Sequence, residues 1–481
     1  MPDHVDVLIV GAGLSGISAA WHLQDRCPGR SYAIVEAREA MGGTWDLFRY
    51  PGIRSDSDKY TFGYRFKPWR GSQALADGPD IRAYIEETAR EYGIDRRIRY
   101  QHRMVSAEWS SDDARWTVHL EAGPDRTPAQ ITCGFLYGCT GYYDYDQGHS
   151  PTWPGMEAFQ GQVVHPQHWP EDLDTNGLRI VIIGSGATAV TLVPALAKSA
   201  AHVTMLQRSP TYVAALPSED AAARVLQRTL PPAAAHRAIR WKNILKARFY
   251  YRLARRHPQL MKRLLRRAVR DAVGPDVDVD RHFQPSYDPW DQRLCLAPDG
   301  DLFTTLASGT ASVVTDRIER FTSTGLLLES GEHLDADLVV TATGLRIQLL
   351  GGATMRIDDA PVDFSERVWF KGAMYSDVPN FALAFGYTNA SWTLKCDLIA
   401  EHVCRLLLRM ERDGFTVAIP RPSRPLKAEP AVDLTSGYVR RALDRMPKQG
   451  DRAPWRVHQD YLRDMALFRY GPVLDDELEL R

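Results

Sequence analysis

Two glycine loops carry the first chemistry that can be read from this chain. Val7 to Val10 is a continuous apolar run leading into Gly11-Ala12-Gly13-Leu14-Ser15-Gly16, and Ile180 to Ile183 leads into Gly184-Ser185-Gly186-Ala187-Thr188-Ala189-Val190. Glycine lets the backbone close on a pyrophosphate, while the helix that follows aims its positive N-terminus at the anion. One such loop is a weak signal; a second in the same chain is far more specific. The residues that end the next strand differ between the two. After Tyr32 to Val35 comes Glu36, about 25 residues past the first glycine, where an acid accepts both ribose hydroxyls and repels a 2′-phosphate. That site is expected to take FAD or NAD, the alternative being a tight turn with no ligand. After Val203 to Leu206 come Gln207, Arg208 and Ser209, and a guanidinium there is a bidentate donor for a 2′-phosphate. NADPH is the expected ligand, the alternative being a surface charge at a strand end.

Opposite ribose preferences imply electron traffic from NADPH to a flavin, and the electrons then need an acceptor. The six cysteines form no C-x-x-C pair, and neither they nor other residues form a metal-ligand pattern, so no metal is expected. Dioxygen is the simplest diffusible acceptor. With 481 residues, 44% of them hydrophobic, the chain is expected to form two or more domains, and its net charge of −1 gives no general attraction for nucleic acid. The N-terminus lacks a basic region ahead of a long apolar run, and no segment reaches the roughly 18 apolar residues of a membrane span. A cytoplasmic protein is the expectation.

The stretch joining the loops reads Phe159-x-Gly161-x-x-x-His165-x-x-x-Trp169-Pro170, and three further runs are distinctive: Gly42-Gly43-Thr44-Trp45-Asp46, Arg49-Tyr50-Pro51-Gly52-Ile53-Arg54-Ser55-Asp56 and Trp290-Asp291-Gln292-Arg293. Together they resemble, nearly end to end, the flavoprotein monooxygenases that use FAD and NADPH, and the Trp-Pro ending resembles their Baeyer-Villiger branch. The resemblance implies that reduced FAD combines with O2 to a C4a-peroxyflavin, which adds to a ketone and rearranges to an ester or lactone. Sulfides or thioamides are further expected substrates. It also places Thr44, Trp45, Asp46 and Leu47 along the flavin, Asp56 beside its ring with Arg54 and Ser55 in the same run, and the Met104 backbone at the adenine. Arg293 becomes the fixed cation near the reacting oxygens, oriented by an ion pair to Asp56. Read without the resemblance, Arg49, Arg54, Asp56 and Asp58 are equally a solvated charged loop, and Arg293 a structural salt-bridge residue. Gln292 stands where several relatives carry lysine, so phosphate contacts rest more on Arg208 and Ser209. His165 and Trp169 are expected to set inter-domain geometry. The competing activities are N- or S-hydroxylation and an NADPH-dependent flavin reductase serving a partner protein.

The elements that must position these groups follow an α/β pattern: two Rossmann-like dinucleotide-binding domains with a helical insertion. A discontinuous FAD domain is expected over 1–143 and 335–425, and an inserted NADPH domain over 150–217 and 284–334. The insertion spans 218–283 and a C-terminal extension 426–481. Val105 to Trp109 and Trp116 to Leu120 alternate like a hairpin, strands are expected around Val313, Phe321 and Leu327, and Leu338 to Val340 is expected to return the chain to the first domain. Pro420 to Pro430 reads as a linker and Asp475 to Glu479 as an acidic tail. In the insertion, Leu260, Met261, Leu264, Leu265, Ala268, Val269 and Ala272 form one helical face, with Lys262, Arg263, Arg266, Arg267 and Arg270 opposite. Such a helix either packs on the core with its basic face solvated, the preferred reading, or makes a weak peripheral contact with an anionic membrane.

Overall fold

The computed structural model describes residues 3–69, 71 and 73–481. His4–Val10 lies at the middle of the larger sheet, parallel to Tyr32–Val35 on one side and to Thr127–Gly138 on the other. Burial on both faces explains its unbroken apolar run. The 12-residue strand Thr127–Gly138 serves two purposes. Its first half pairs antiparallel with Arg115–Ala122, while its second half joins the parallel sheet and receives Phe381–Leu383. The expected hairpin is present as His102–Ser110 against Arg115–Ala122, with Trp109 opposite Trp116, and is extended by Thr354–Ile357.

The second sheet is wholly parallel, in the order Ala311–Thr315, His202–Gln207, Arg179–Ile183, Leu338–Val340, Gln162–Val164. Here the sequence reading needs correcting, because Leu338–Val340 belongs to this sheet and does not return the chain to the first. The reason is a repeated close approach. A Cβ on Gly11 would lie 2.5 Å from the carbonyl oxygen of Cys139, the residue that follows strand Thr127–Gly138; a Cβ on Gly184 would lie 2.3 Å from that of Ala342, which follows Leu338–Val340. Thr341-Ala342-Thr343-Gly344 therefore seats the second loop as Cys139-Thr140-Gly141 seats the first. Of the strands expected around Val313, Phe321 and Leu327, only the first joins the parallel sheet. Ile318–Thr322 and Gly325–Leu328 form a separate antiparallel sheet with His333–Asp335.

The insertion is helical, over Ala221–Thr229, Pro232–Arg256, Pro258–Val273 and Val279–His282. The preferred core-packed reading of its basic helix holds for only part of the apolar face, since Val269 and Val273 join the core of the second domain. In Pro258–Val273 only Val269 and Val273 are buried, while Leu260 and Leu264 face solvent. The C-terminal extension is likewise neither linker nor free tail. Leu478–Leu480 pairs with Ala418–Pro420, and buried Trp455 donates its indole N–H to Glu477 at 2.9 Å.

One buried network ties insertion and sheet together. Arg240 donates to the carbonyls of Tyr60 and Gly63, each at 2.7 Å, and lies 3.8 Å from Asp397 on the long helix Trp392–Asp413. Ser18, on the helix after the first glycine loop, donates to Asp397 at 2.6 Å. Burial pushes the Asp397 carboxyl up, but His22, Arg240 and the Ser18 hydroxyl outweigh it and hold it below the ordinary range. A depressed folded-state value means stability that is present above the unfolded value and lost as pH falls through the folded one. Asp397→Ala is expected to cost about 3–5 kcal/mol at pH 7, since it strands a buried cation. In urea denaturation the gap to the unaltered protein should narrow toward acid.

Candidate active site

The first glycine loop opens into a cavity of about 620 Å³ between the two sheets. Gly11 enters it at φ +108, a region that glycine adopts without strain. Behind the loop, Glu36 is buried and accepts the backbone N–H of Ala12 at 2.7 Å and of Arg38 at 2.9 Å. Burial raises its carboxyl above the ordinary range against those two hydrogen bonds. Gly11, Gly13, Ser15, Glu36, Thr44, Trp45, Arg54, Ser55, Asp56, Met104 and Arg293 all line the cavity. At Met104 the pairing with Arg115–Ala122 shifts register, which interrupts the ladder beside the cavity wall.

Arg293 occupies the far wall with three phenols around it. Tyr142 and Tyr143 share a 2.7 Å hydroxyl contact, and Tyr142 stacks on Trp392 with 5.0 Å between centroids. Tyr438 reaches in from the C-terminal extension to stand near Arg293, and its phenol is pushed up to about 12 by burial. Burial also opposes the guanidinium's charge, but the phenols of Tyr142, Tyr438 and Tyr143, with Asp56, more than restore it and the net displacement is upward. The Arg293 Nε is buried without a hydrogen-bond partner. Asp56 is enclosed too, so burial raises its carboxyl while Arg293 and Arg54 pull it down. The expected direct ion pair is not formed: among the described residues no oxygen of Asp56 lies within 4.0 Å of Arg293, and the two interact through space across the cavity. Arg54 instead pairs with Asp301 at 2.7 Å.

The run carrying Arg293 is held in a tight turn, with Trp290 at φ +73. A bulky residue there stores strain that its surroundings must offset. Those surroundings come from both added segments. Arg255 of the insertion pairs with Asp291 at 2.6 Å, and the Thr435 N–H of the extension donates to the Asp291 carbonyl at 2.7 Å.

Residues 75–350 match the flavin-binding monooxygenase-like family, and residues 9–87 match the NAD(P)-binding Rossmann-like domain. The chain is 55% identical over 480 residues to the FAD-containing monooxygenase EthA of Mycobacterium tuberculosis, covering 99% of this chain and 98% of that one. The chain belongs to the flavin-binding monooxygenase-like family. Among solved structures, an oxidised steroid monooxygenase bound to NADP superposes with a TM-score of 0.76 at 20% identity, over 99% of each chain. OTEMO in complex with FAD and NADP superposes with 0.74 at 20% identity, again over 99% of each. At that identity the likeness establishes the shared two-domain fold.

Several residues expected at the site stand elsewhere in this family member. Asp46 is buried against Arg38 at 2.7 Å and against Arg49 and Arg82 at 3.2 Å each, off the cavity wall. Leu47 packs with Phe48 and Tyr50 into the core of the second domain. Gly16 lies under the first loop, where a Cβ would meet the Gly11 carbonyl oxygen at 1.9 Å. Of the second loop only Ala187 and Thr188, with Thr191, reach the cavity. Gly184, Ser185, Gly186, Arg208 and Ser209 lie outside it, and Ala189 and Val190 are buried helix residues. Ser185 donates to the Ser209 carbonyl at 3.1 Å, and Arg208 is exposed with no ion-pair partner among the described residues.

His165 is fixed between the domains. Its Nδ1 accepts the Gln167 N–H at 3.2 Å, so Nε2 carries the proton toward the Gly344 carbonyl at 3.3 Å, and burial lowers its basicity. The sequence reading missed Tyr142, Tyr143 and Tyr438. The first two directly follow the sharp turn at Gly141, a position that could have flagged them; Tyr438 has no local signal.

Glu36→Ala would leave the buried Ala12 amide of the first loop and the half-buried Arg38 amide without their acceptor. Ligand-free protein is expected to lose about 1–3 kcal/mol in chemical denaturation.

Proposed function

We propose that this protein is an NADPH- and O2-dependent monooxygenase with FAD in the first nucleotide site, and that it inserts one oxygen atom beside a ketone carbonyl to give an ester or lactone. Sulfides and thioamides are further substrates on this reading. The balance is ketone, O2, NADPH and a proton going to ester, water and NADP+. The observation that carries the reading is the enclosed Arg293 guanidinium, with an unpartnered Nε, on the wall of the cavity that the first glycine loop enters.

The residues present fit both cofactors. Gly11 and Gly13 leave backbone room for a pyrophosphate, and Glu36 is anchored by two amides with lone pairs left for ribose hydroxyls. A cavity of about 620 Å³ is in the range of cofactor pockets. The unpaired Arg208 beside Ser209 suits a 2′-phosphate. Bound FAD supplies the hydride acceptor and the activation of O2; the chain supplies charge, position and dryness. Arg293 cannot give up its proton, so it offers a permanent cation to an oxygen that gains negative charge during insertion. The Tyr142, Tyr143 and Tyr438 phenols surround that cation, and Asp56 offsets its charge from a distance. Trp392 and Trp45 give that wall an apolar surface. Six free, buried cysteines fit a reducing compartment, and we place the enzyme in the cytoplasm.

Arg293→Met keeps much of the side-chain length and removes the cation. Losing one preorganised oxyanion donor costs roughly 2.7–4 kcal/mol of transition-state stabilisation, so product per NADPH consumed should fall by about two orders of magnitude or more. Wild-type ester yield at unchanged kcat and full FAD content would remove Arg293 from the mechanism. NADPH oxidation without any oxygenated product in the unaltered enzyme would favour a flavin reductase, and oxygen transfer only to nitrogen or sulfur would favour a hydroxylating enzyme.

Arg208→Ala should raise KM for NADPH at least about tenfold, the equivalent of roughly 1.4 kcal/mol, and leave KM for NADH nearly unchanged. Steady-state kinetics with both nucleotides decides it, and an equal change in both would place the 2′-phosphate elsewhere.

A further inference from the structure

The insertion 218–283 holds sixteen Lys and Arg against six Asp and Glu, in a chain whose net charge is −1. Its apolar residues are not hidden. On the long helix Pro232–Arg256, Trp241, Leu245 and Phe249 follow one another at four-residue spacing and are 39%, 50% and 61% exposed. Three residues at that spacing form one stripe along a helix. Tyr250 stands beside it, edge-on to Phe249 at 5.6 Å. Arg237 lies one turn before the stripe and Arg256 two turns beyond it, and neither has an ion-pair partner among the described residues. Leu260 and Leu264 on the next helix are also exposed, with Arg263 and Arg267 at the border of the basic face beside them.

The geometry points to this face of the insertion as a docking surface for an anionic lipid bilayer. Aromatic and aliphatic side chains in one stripe, bracketed by free arginines, are what a helix lying in the headgroup region needs: the apolar stripe enters the acyl boundary and the guanidiniums meet lipid phosphates. Charge complementarity chooses among occupants. A second copy meeting this face with the same face would set two strongly basic surfaces together. A nucleic acid would satisfy the arginines but offers no place for Leu245, Leu260 and Leu264. An anionic bilayer satisfies both. The other half of the insertion is anchored by Arg240 and Asn243 to the body of the protein, so the stripe is presented on a fixed base. The surface lies outside the cavity lining and does not depend on the oxygenation chemistry.

The test is co-sedimentation of the FAD-loaded full-length protein with phosphatidylglycerol–phosphatidylcholine vesicles and with phosphatidylcholine vesicles alone. Strong retention is expected only on the anionic vesicles, reduced at high salt. The pair Trp241→Ser with Phe249→Ser and the pair Arg237→Gln with Arg256→Gln should each lower partitioning about tenfold, because apolar insertion and charge attraction both contribute. NADPH turnover without vesicles should be unchanged in both, which separates loss of docking from loss of fold. Wild-type protein that stays in the supernatant, or partitioning untouched by either pair, overturns the assignment. So does concentration-dependent dimerisation, or retention on DNA, that the same substitutions abolish while vesicles are ignored.

Discussion

Both nucleotide loops depend on an approach of backbone to backbone that leaves no room for a side chain. Gly11 rests on the carbonyl of Cys139 and Gly184 on that of Ala342, each at the end of a neighbouring parallel strand. The helix after each loop can then start directly beneath the bend. In the first half this contact also sets the position of Glu36, because the Ala12 amide between the glycines is the one that its carboxylate accepts. Strand order and loop shape thus follow from one steric condition, met twice, and in the first half the placement of Glu36 follows with them.

The cavity beyond the first loop shows how a charge is held on a partly buried wall. A guanidinium taken from water normally needs a close carboxylate, but a tight ion pair would consume the donors that an anionic oxygen needs. Here neutral phenols surround Arg293 while Asp56 acts from a distance. The arrangement costs less attraction to Asp56 than direct contact would give, and it leaves Nε aimed at nothing in the protein.

Much of this was legible in the sequence because it is local. The apolar run, glycine spacing and terminal acid or arginine of each half occupy about 25–30 residues, and period and turn chemistry identify such units. The strand Leu338–Val340 was misplaced because Thr341 to Gly344 and Cys139 to Gly141 both end in Thr-Gly, and sequence shows that two ends are alike, not which neighbour each one touches. The family resemblance sets Thr44 to Leu47 along the ligand as one segment, but the short helix Thr44–Leu47 turns successive residues to different sides. Tyr438 was illegible, since 145 positions separate it from Arg293 and only the docking of the extension joins them. The exposed part of the apolar helix face, at Leu260 and Leu264, was illegible for a general reason: amphipathic periodicity marks a face without saying how much of it is covered.

The turn at Trp290 adds a consequence for divergence. Its strained conformation is stabilised through Asp291 by Arg255 of the insertion and Thr435 of the C-terminal extension, alongside the turn's own bonds to Asp288. Changes of length or sequence in those two outer segments therefore re-aim the arginine while both dinucleotide grips stay as they are. Descendants of such a protein can explore new substrates by altering its periphery, with the inherited electron-transfer core held constant.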